Sequence, residues 1–463
     1  LIGMTPEEIA DAMSARIVSE GGEGAPASAG FDSRQVSAGE LFFGLPGESD
    51  DGGRFAPAAV EAGAWGVVTG PDHTAAAVAT AERQGHATWV FESTDPLRSL
   101  QDLATAWRRR LGATVVGITG SVGKTSVKDI TRALLPGVVH ASPENFNTEV
   151  GLPLTVLSAP EDTEYLVLEM AMRGPGQIAE LARMGEPDVG VITNVGPVHI
   201  ELLGSIEAIA AAKAEMIDGV VPGSPVVVPV DAGYLEPHLA GVETLLRFGP
   251  GGAVELVSSE PTTSGIKALI RTPSGEFDFE FPFTERHNVT NALTAIAIGH
   301  ALGVDPGEMA GQTGRIAFSK LRGEHIELDG GALIVNDSYN ANPVSMRAAL
   351  DYLAGLDRPQ RIAVMGLMAE LGPDTDRFHA EIGAHARDVG IDVLIGVGRV
   401  AAGYAPDHLV ADPAAAAELV STMLAPGTAV LVKGSRSAGL EAVTEALSRS
   451  SGDGHAPESG KED

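Results

Sequence analysis

The sequence predicts an α/β protein built from three successive units, and three observations carry that prediction. At 463 residues the chain has room for about three domains of roughly 150 residues, each able to bury its own core. Short apolar runs recur along it between helix-like amphipathic stretches, the alternation that gives parallel sheets covered by helices. The composition, 44% hydrophobic and only 5% aromatic with 57 Gly, is that of a soluble Ala/Gly-rich α/β chain rather than a fibre or a small stapled scaffold.

The first unit, residues 1–111, alternates the runs Leu41 to Leu45, Trp65 to Thr69 and Thr88 to Phe91 with the Ala-rich stretches Pro57 to Gly63 and Pro96 to Leu111, and reads as a small α/β domain. In the second, residues 112–316, the strand candidates Thr114 to Thr119, Tyr165 to Leu168, Val189 to Thr193 and Pro225 to Pro229 are apolar on both faces, which predicts a mainly parallel sheet buried on both sides. Alternation from Gly265 to Pro282 predicts antiparallel hairpin strands added to that sheet, followed by a helix from about Val289 to Leu302. The third unit, residues 317–448, starts in earnest near Arg322 and offers strands at Ala332 to Val335, Arg361 to Met365, Val393 to Val397 and Ala429 to Val432. Residues 449–463 turn to Ser, Gly, Asp and Glu, which predicts a disordered tail.

Lys plus Arg total 31 against 62 for Asp plus Glu, a formal charge of −31. A general nucleic-acid or anionic-membrane binder is disfavoured, and an anionic ligand needs a local cluster of donors or a metal ion. With no Cys there is neither a disulfide framework nor a thiolate site, which fits a reducing cytoplasm. Leu1 to Ala15 has no basic n-region, so no signal peptide is expected. No run approaches ~18 strongly apolar residues, so membrane insertion is not expected either.

The sharpest motif is Thr119-Gly120-Ser121-Val122-Gly123-Lys124-Thr125-Ser126, between the strand candidate at Thr114 and a helical segment Val127 to Leu135. Strand, glycine turn, Lys-Thr and helix make a phosphate cradle: main-chain N–H groups face the anion, Lys124 neutralises it, and Thr125 can hold Mg²⁺. Ile118 stands where the standard Walker A spacing wants Gly, so this is a shorter Gly-x-x-Gly-Lys-Thr loop. Two neighbouring strands end in Glu169 and Asn194, with His199 just beyond; at the carboxyl ends of a parallel sheet all three are expected to face the loop, and Glu and His suit a metal.

Lys213 falls on the apolar face of a helix candidate, Ser205 to Val220, where it must snorkel, pair or be chemically changed. Asn288 and Asn291 open the next helix; as a purely structural residue Asn288 is an N-cap, whereas Asn291 has less structural reason to sit there. In the third unit, strands lead into Asn336-Asp337-Ser338-Tyr339-Asn340 and into Lys433-Gly434-Ser435-Arg436, an acidic and a basic turn at one sheet edge. Arg322, at the start of that unit, reaches a phosphate across a cleft or sits in solvent.

These segments, together with Asp32-Ser33-Arg34, Asn145-Phe146-Asn147 with Gly151 and Pro153, Glu169 to Gly174, Asn194 to His199, His287 to Asn291, Arg322-Gly323-Glu324 and Asp337 to Pro343, occur in an order that resembles the ATP-dependent Mur ligases of peptidoglycan synthesis over nearly the whole chain. Within that family the chain is most similar to the branch that adds D-alanyl-D-alanine to UDP-N-acetylmuramoyl-tripeptide. The resemblance implies a UDP-substrate-binding N-terminal domain, a central P-loop ATPase-like domain with a mainly parallel sheet, and a C-terminal Rossmann-like ligase domain. It implies ATP and Mg²⁺ at Gly120, Ser121, Val122, Gly123, Lys124, Thr125 and Ser126, with Asn288, Asn291, Arg322, Asp337 and Asn340 on the nucleotide. Metals fall to Thr125, Glu169, His199 and an N-carbamylated Lys213. Substrate falls to Ser33, Arg34, Asn145 and Asn147, and to Lys433 and Arg436 on the dipeptide side. It further implies catalysis through an acyl phosphate by Lys124, Lys213, His199 and Glu169 in a cytoplasmic monomer that acts on small molecules, with the third unit closing onto the second. Thr148, Ala171, Asn336 and Leu367 depart from the family pattern, mostly at loop positions. Two other readings compete: a related Mur or folylpolyglutamate-type ligase for another amine, and a nucleotide-binding switch that makes no bond.

Overall fold

The computed structural model describes residues 3–47, 50–85, 87–143, 145–198 and 200–452. The first unit is a five-stranded sheet of β1 (Arg16–Ser19), β2 (Ser28–Gly30), β3 (Glu40–Phe43), β4 (Gly66–Thr69) and β5 (Trp89–Glu92) in the order β1-β5-β4-β3-β2, parallel except for β1. Alternation along the strands sorts its two faces: Phe42, Val67 and Val90 enter one core, Leu41, Phe43, Val68 and Phe91 the other. Helix Pro96–Leu111, with Pro at its first turn, Asp95 as N-cap and Gly112 as a left-handed C-cap, buries Leu100, Leu103, Ala104 and Trp107 in that second core. The same core takes in Val115, Leu152 and Leu168, so the first two units are welded by shared apolar packing.

The central sheet contains β6 (Thr114–Thr119), β7 (Val139–Ala141), β8 (Tyr165–Glu169), β9 (Val189–Ile192), β10 (Val226–Pro229) and β11 (Leu245–Phe248), all parallel, in the order β11-β10-β9-β6-β8-β7. Neighbouring residues of β6 face opposite cores, Val115 one way and Val116 and Ile118 the other, as two-sided burial requires. The expectation that the Gly265 to Pro282 strands extend this sheet is not met. They form a separate three-stranded antiparallel sheet, β12 (Glu255–Pro261), β13 (Ile266–Thr272) and β14 (Gly275–Phe281). The reason lies in the alternation itself: Ile266, Ala268, Ile270, Phe279 and Phe281 present one apolar face, and that face is covered by helix Arg286–Ala301 and its neighbours, so the strands stack as a layer instead of pairing at an edge.

The third unit has β15 (Glu324–Glu327), β16 (Leu333–Asp337), β17 (Gln360–Met365), β18 (Val393–Val397), β19 (His408–Val410) and β20 (Thr428–Lys433), ordered β15-β16-β20-β17-β18-β19 and parallel apart from β15. Cores lie on both faces, Val335, Ala363 and Leu431 on one and Ile334, Val364 and Val430 on the other. The last helix, Glu441–Gly452, runs four residues into the stretch expected to be disordered; the remainder of that tail lies outside the described residues.

Candidate functional site

β6 delivers the chain into the glycine loop, and two backbone conformations explain its glycines. Gly120 has φ +151° and Gly123 φ +83°; a Cβ on the first would fall 1.9 Å from Thr193 Oγ1, and on the second 2.6 Å from Asn291 Oδ1. Gly123 is also the N-cap of helix Lys124–Leu134 and offers no side-chain cap, which leaves the first N–H groups of that helix for a ligand.

The end of β9 braces the loop from beside it. Asn194 accepts from Val122 N–H at 3.0 Å through Oδ1 and donates to the Val122 carbonyl at 3.1 Å through Nδ2, Thr193 Oγ1 donates to the same carbonyl at 2.6 Å, and Ser121 Oγ bonds Gly196 in both directions. Asn194 thus faces the loop, as expected, but as a brace for it. Lys124 folds back to donate to the Gly120 carbonyl at 2.8 Å. Burial holds its ammonium below the ordinary lysine range; the Glu169 carboxylate opposes that shift and the Arg322 guanidinium adds to it.

Glu169, at the end of β8 and 2% exposed, accepts from Thr125 Oγ1 at 2.7 Å and from Asn147 Nδ2 at 2.8 Å, while its main-chain N–H donates to Ser142 Oγ at 3.1 Å. A carboxylate and a hydroxyl therefore converge beside Lys124, the hard oxygen donors that suit Mg²⁺. Among the described residues no three His, Asp or Glu side chains cluster as a ready-made metal site. His199 lies outside the described residues.

Lys213 sits in helix Ile206–Gly219, which Ser205 caps by accepting from Ala208 N–H. Its side chain is 2% exposed, and among the described residues nothing donates to, accepts from or ion-pairs with it. Burial, followed by the nearby Lys124 charge, pushes its pKa well below the ordinary value. Among the described residues the side chain therefore neither snorkels nor pairs.

A cleft of about 1360 Å³, open solvent included, runs from this loop to the third unit. It is lined by Ser121 to Ser126, Glu169 and Asn194 on one side, Asn288 and Asn291 beneath, and Arg322, Asp337 and Asn340 opposite. Asn288 is not the N-cap of its helix; Glu285 is, because the helix begins at Arg286, and Asn288, buried in the first turn, accepts from Asn291 Nδ2 at 2.9 Å. The Arg322 guanidinium lies 4.1 Å from the Tyr339 ring centroid.

Lys433, expected on the dipeptide side, is among the residues that line this cleft. Parallel register sets Asp337 opposite Lys433 at the ends of β16 and β20, and the buried ammonium donates to Asp337 Oδ2 at 2.6 Å and to the Asn340 carbonyl at 2.9 Å. Asn340 Oδ1 accepts from Ala341 N–H. Arg436 is exposed and pairs with Glu441 at 3.0 Å. Ser33, Arg34, Asn145 and Asn147 do not line the cleft, and Arg34 forms an exposed pair with Asp32.

Sequence reasoning missed the far wall. There Glu285 pairs with His325 at 3.0 Å, and the Tyr352 hydroxyl bonds both His325 (3.0 Å) and Thr284 (2.8 Å), bridging the second and third units. Burial pushes the Tyr352 hydroxyl up to about 12, so it stays protonated. Nothing in the sequence marks a tyrosine in mid-helix as part of such a contact.

Three family models match successive stretches of the chain. A model described as "Mur ligase family, catalytic domain" matches residues 28–106, "Mur ligase middle domain" residues 118–299, and "Mur ligase, glutamate ligase domain" residues 321–436. The chain is 35% identical over 431 residues, 90% of each chain, to the UDP-N-acetylmuramoyl-tripeptide–D-alanyl-D-alanine ligase of Synechocystis sp.. Among solved structures it resembles MurF ligase from Thermotoga maritima in complex with ADP (29% identity, TM-score 0.78, covering 92% of this chain and 98% of that one). It shares the fold of MurF from Acinetobacter baumannii (24% identity, TM-score 0.84, covering 96% and 98%).

Proposed function

This chain belongs to the Mur ligase family, and from that premise we propose that it joins D-alanyl-D-alanine to UDP-N-acetylmuramoyl-tripeptide, at the expense of ATP, in peptidoglycan precursor synthesis. It is an ATP-dependent ligase that forms a carbon–nitrogen bond. The observation that carries the reading is the cleft in which the glycine loop, Glu169 and the asparagines of the second unit meet Arg322 and Asp337 of the third.

A carboxylate is a poor electrophile. An oxygen of the tripeptide's terminal carboxylate takes the γ-phosphoryl group of ATP, ADP leaves, and the dipeptide's amine attacks the resulting acyl carbon; the tetrahedral adduct expels phosphate, the amine loses a proton and the amide remains. The loop N–H groups and Lys124 hold the phosphates and oppose the charge on the transferred group. Arg322 approaches them from the third unit, and Asn288, Asn291, Asp337 and Asn340 border the nucleotide. Thr125 and Glu169 supply oxygens that fit Mg²⁺, with His199 as a further ligand; the ion adds Lewis-acid stabilisation of phosphoryl oxygens. Ser33, Arg34, Asn145 and Asn147 serve the UDP-muramoyl substrate and Lys433 and Arg436 the dipeptide side, where Lys433 also orders Asp337 and Asn340. Water must be kept from the acyl phosphate, and bridging contacts such as Tyr352 to Thr284 suit a closed arrangement.

Lys213 is proposed as an N-carbamate: its nitrogen attacks CO₂, a proton leaves, and an unpartnered buried amine becomes an anion beside Lys124. A depressed pKa supports this, because only the neutral amine reacts. Lys213→Ala is expected to lower phosphate release at least about 100-fold, with partial recovery on adding short-chain carboxylic acids. Full activity without them overturns the carbamate. No helix among the described residues is long and apolar enough to cross a membrane. The proposed setting is a cytoplasmic monomer acting on small molecules.

A further inference from the structure

The helix that follows the glycine loop carries a buried ion pair that the chemistry above does not use. Lys128 and Asp129 are consecutive residues with side chains 3% and 7% exposed, and Lys128 Nζ lies 3.1 Å from Asp129 Oδ1. Lys128 also donates to the Ser142 carbonyl at 2.8 Å. Burying two charges is unfavourable unless both are well paired, so the arrangement needs a reason.

The other carboxylate oxygen reaches away from its own helix. Asp129 Oδ2 accepts from the main-chain N–H of Ser319 at 2.8 Å and from its hydroxyl at 2.9 Å. Ser319 lies on the segment that joins the second unit to the third, three residues before Arg322. Between them Leu321 has φ +63°, a left-handed conformation that a branched side chain keeps only when its surroundings impose it. Beyond it, the Leu321 carbonyl accepts from Tyr339 N–H at 3.2 Å and the Arg322 guanidinium lies over the Tyr339 ring. The segment is thus fixed on both sides of its strained residue, by Asp129 before and by Tyr339 after.

We propose that Asp129 is a positioning residue for Arg322: by gripping Ser319 it keeps Leu321 left-handed and so aims the guanidinium into the nucleotide cleft. The grip comes from the same rigid helix whose first residue is Lys124, so the two cations that meet the phosphates are set by one element. Lys128 balances the buried carboxylate and leaves Oδ2 free to accept both Ser319 donors with charge-assisted strength. The inference rests on the reading of Arg322 as a residue that binds the nucleotide phosphates of this ligase.

The test is a double-mutant cycle on kcat/KM for ATP and on the Kd for ADP, with thermal unfolding beside it. Asp129→Asn is expected to lower kcat/KM about tenfold or more and to weaken ADP binding in parallel, yet to change neither by more than about twofold when Arg322 is already Ala. The fall in Tm, by contrast, is the same in both backgrounds. Ser319→Ala, which removes one donor only, gives a smaller effect of the same kind, Ser319→Thr restores it, and this pair carries the test if Asp129→Asn does not fold. An equal penalty with and without Arg322 makes Asp129 structural only and overturns the proposal, as does no penalty at all. If Arg322→Ala alone leaves kcat/KM and ADP binding unchanged, the phosphate role of Arg322 falls first.

Discussion

Replacing Glu169 by Gln separates what this side chain does for the fold from what it does for the chemistry. The carboxylate accepts from Thr125 at 2.7 Å and from Asn147 at 2.8 Å and is 2% exposed. A glutamine oxygen can keep the Asn147 bond while its Nε2 donates to the Thr125 hydroxyl, which rotates to accept. Both hydrogen bonds survive, now neutral instead of charge-assisted, a loss of about 1–3 kcal/mol for the pair. Removing a buried charge returns part of that, so the net loss expected is about 1 kcal/mol, or roughly 2–4 °C in Tm for a domain of 150–250 residues. The anion that suits a metal ion and favours the Lys124 ammonium disappears outright, so phosphate release should fall at least about 100-fold. The Lys124 pKa should also move further down, which brings the alkaline limb of any residual activity to lower pH. Thermal unfolding without nucleotide and a phosphate-release assay read the two effects apart. A rate within about threefold of the parent refutes the argument, and so does a rate loss that comes only with a collapse in Tm.

Two further predictions concern the third unit. His379 is fully buried, with Nδ1 on the Thr375 carbonyl at 2.7 Å and Nε2 accepting from Met368 N–H at 3.2 Å. Burial pushes its pKa below the ordinary value, against the pull of Thr375 and Asp376. Its contribution to stability is therefore complete above the unfolded value of about 6.5 and is lost as the pH falls toward the folded one, so Tm should drop between pH 7.5 and 5.5 and drop less in His379→Gln. An unchanged slope contradicts this. Tyr352→Phe deletes the hydroxyl that bonds Thr284 and His325; at about 0.5–1.5 kcal/mol per bond, KM for ATP should rise several-fold with kcat little changed, and an unaltered KM contradicts the bridging role.

Long strands buried on two faces were legible because their apolar runs are unambiguous: Thr114–Thr119 and Val393–Val397 stand where the sequence puts them. The short edge strands, such as Ser28–Gly30, Val139–Ala141 and His408–Val410, were not, since three half-exposed residues carry no period of their own. The hairpin at Gly265 to Pro282 was legible as strands but not as a separate layer, because alternation tells that one face is covered and not by what. Within the site, the glycine loop, Lys124, Glu169 and the burial of Lys213 followed from motif and periodicity. The contact between Lys433 and Asp337 did not. It depends on a cross-strand register between residues 96 apart, which no local pattern encodes. The same holds for Asp129 and Ser319, brought together across 190 residues.

The account turns on which amine the site accepts. The direct measurement is phosphate release from ATP with Mg²⁺ and UDP-N-acetylmuramoyl-tripeptide, comparing D-alanyl-D-alanine, single amino acids and no amine. Release that depends on the dipeptide, with one amide formed for each phosphate, is the predicted result. Release with another amine, or nucleotide binding with no acceptor-dependent release, contradicts it.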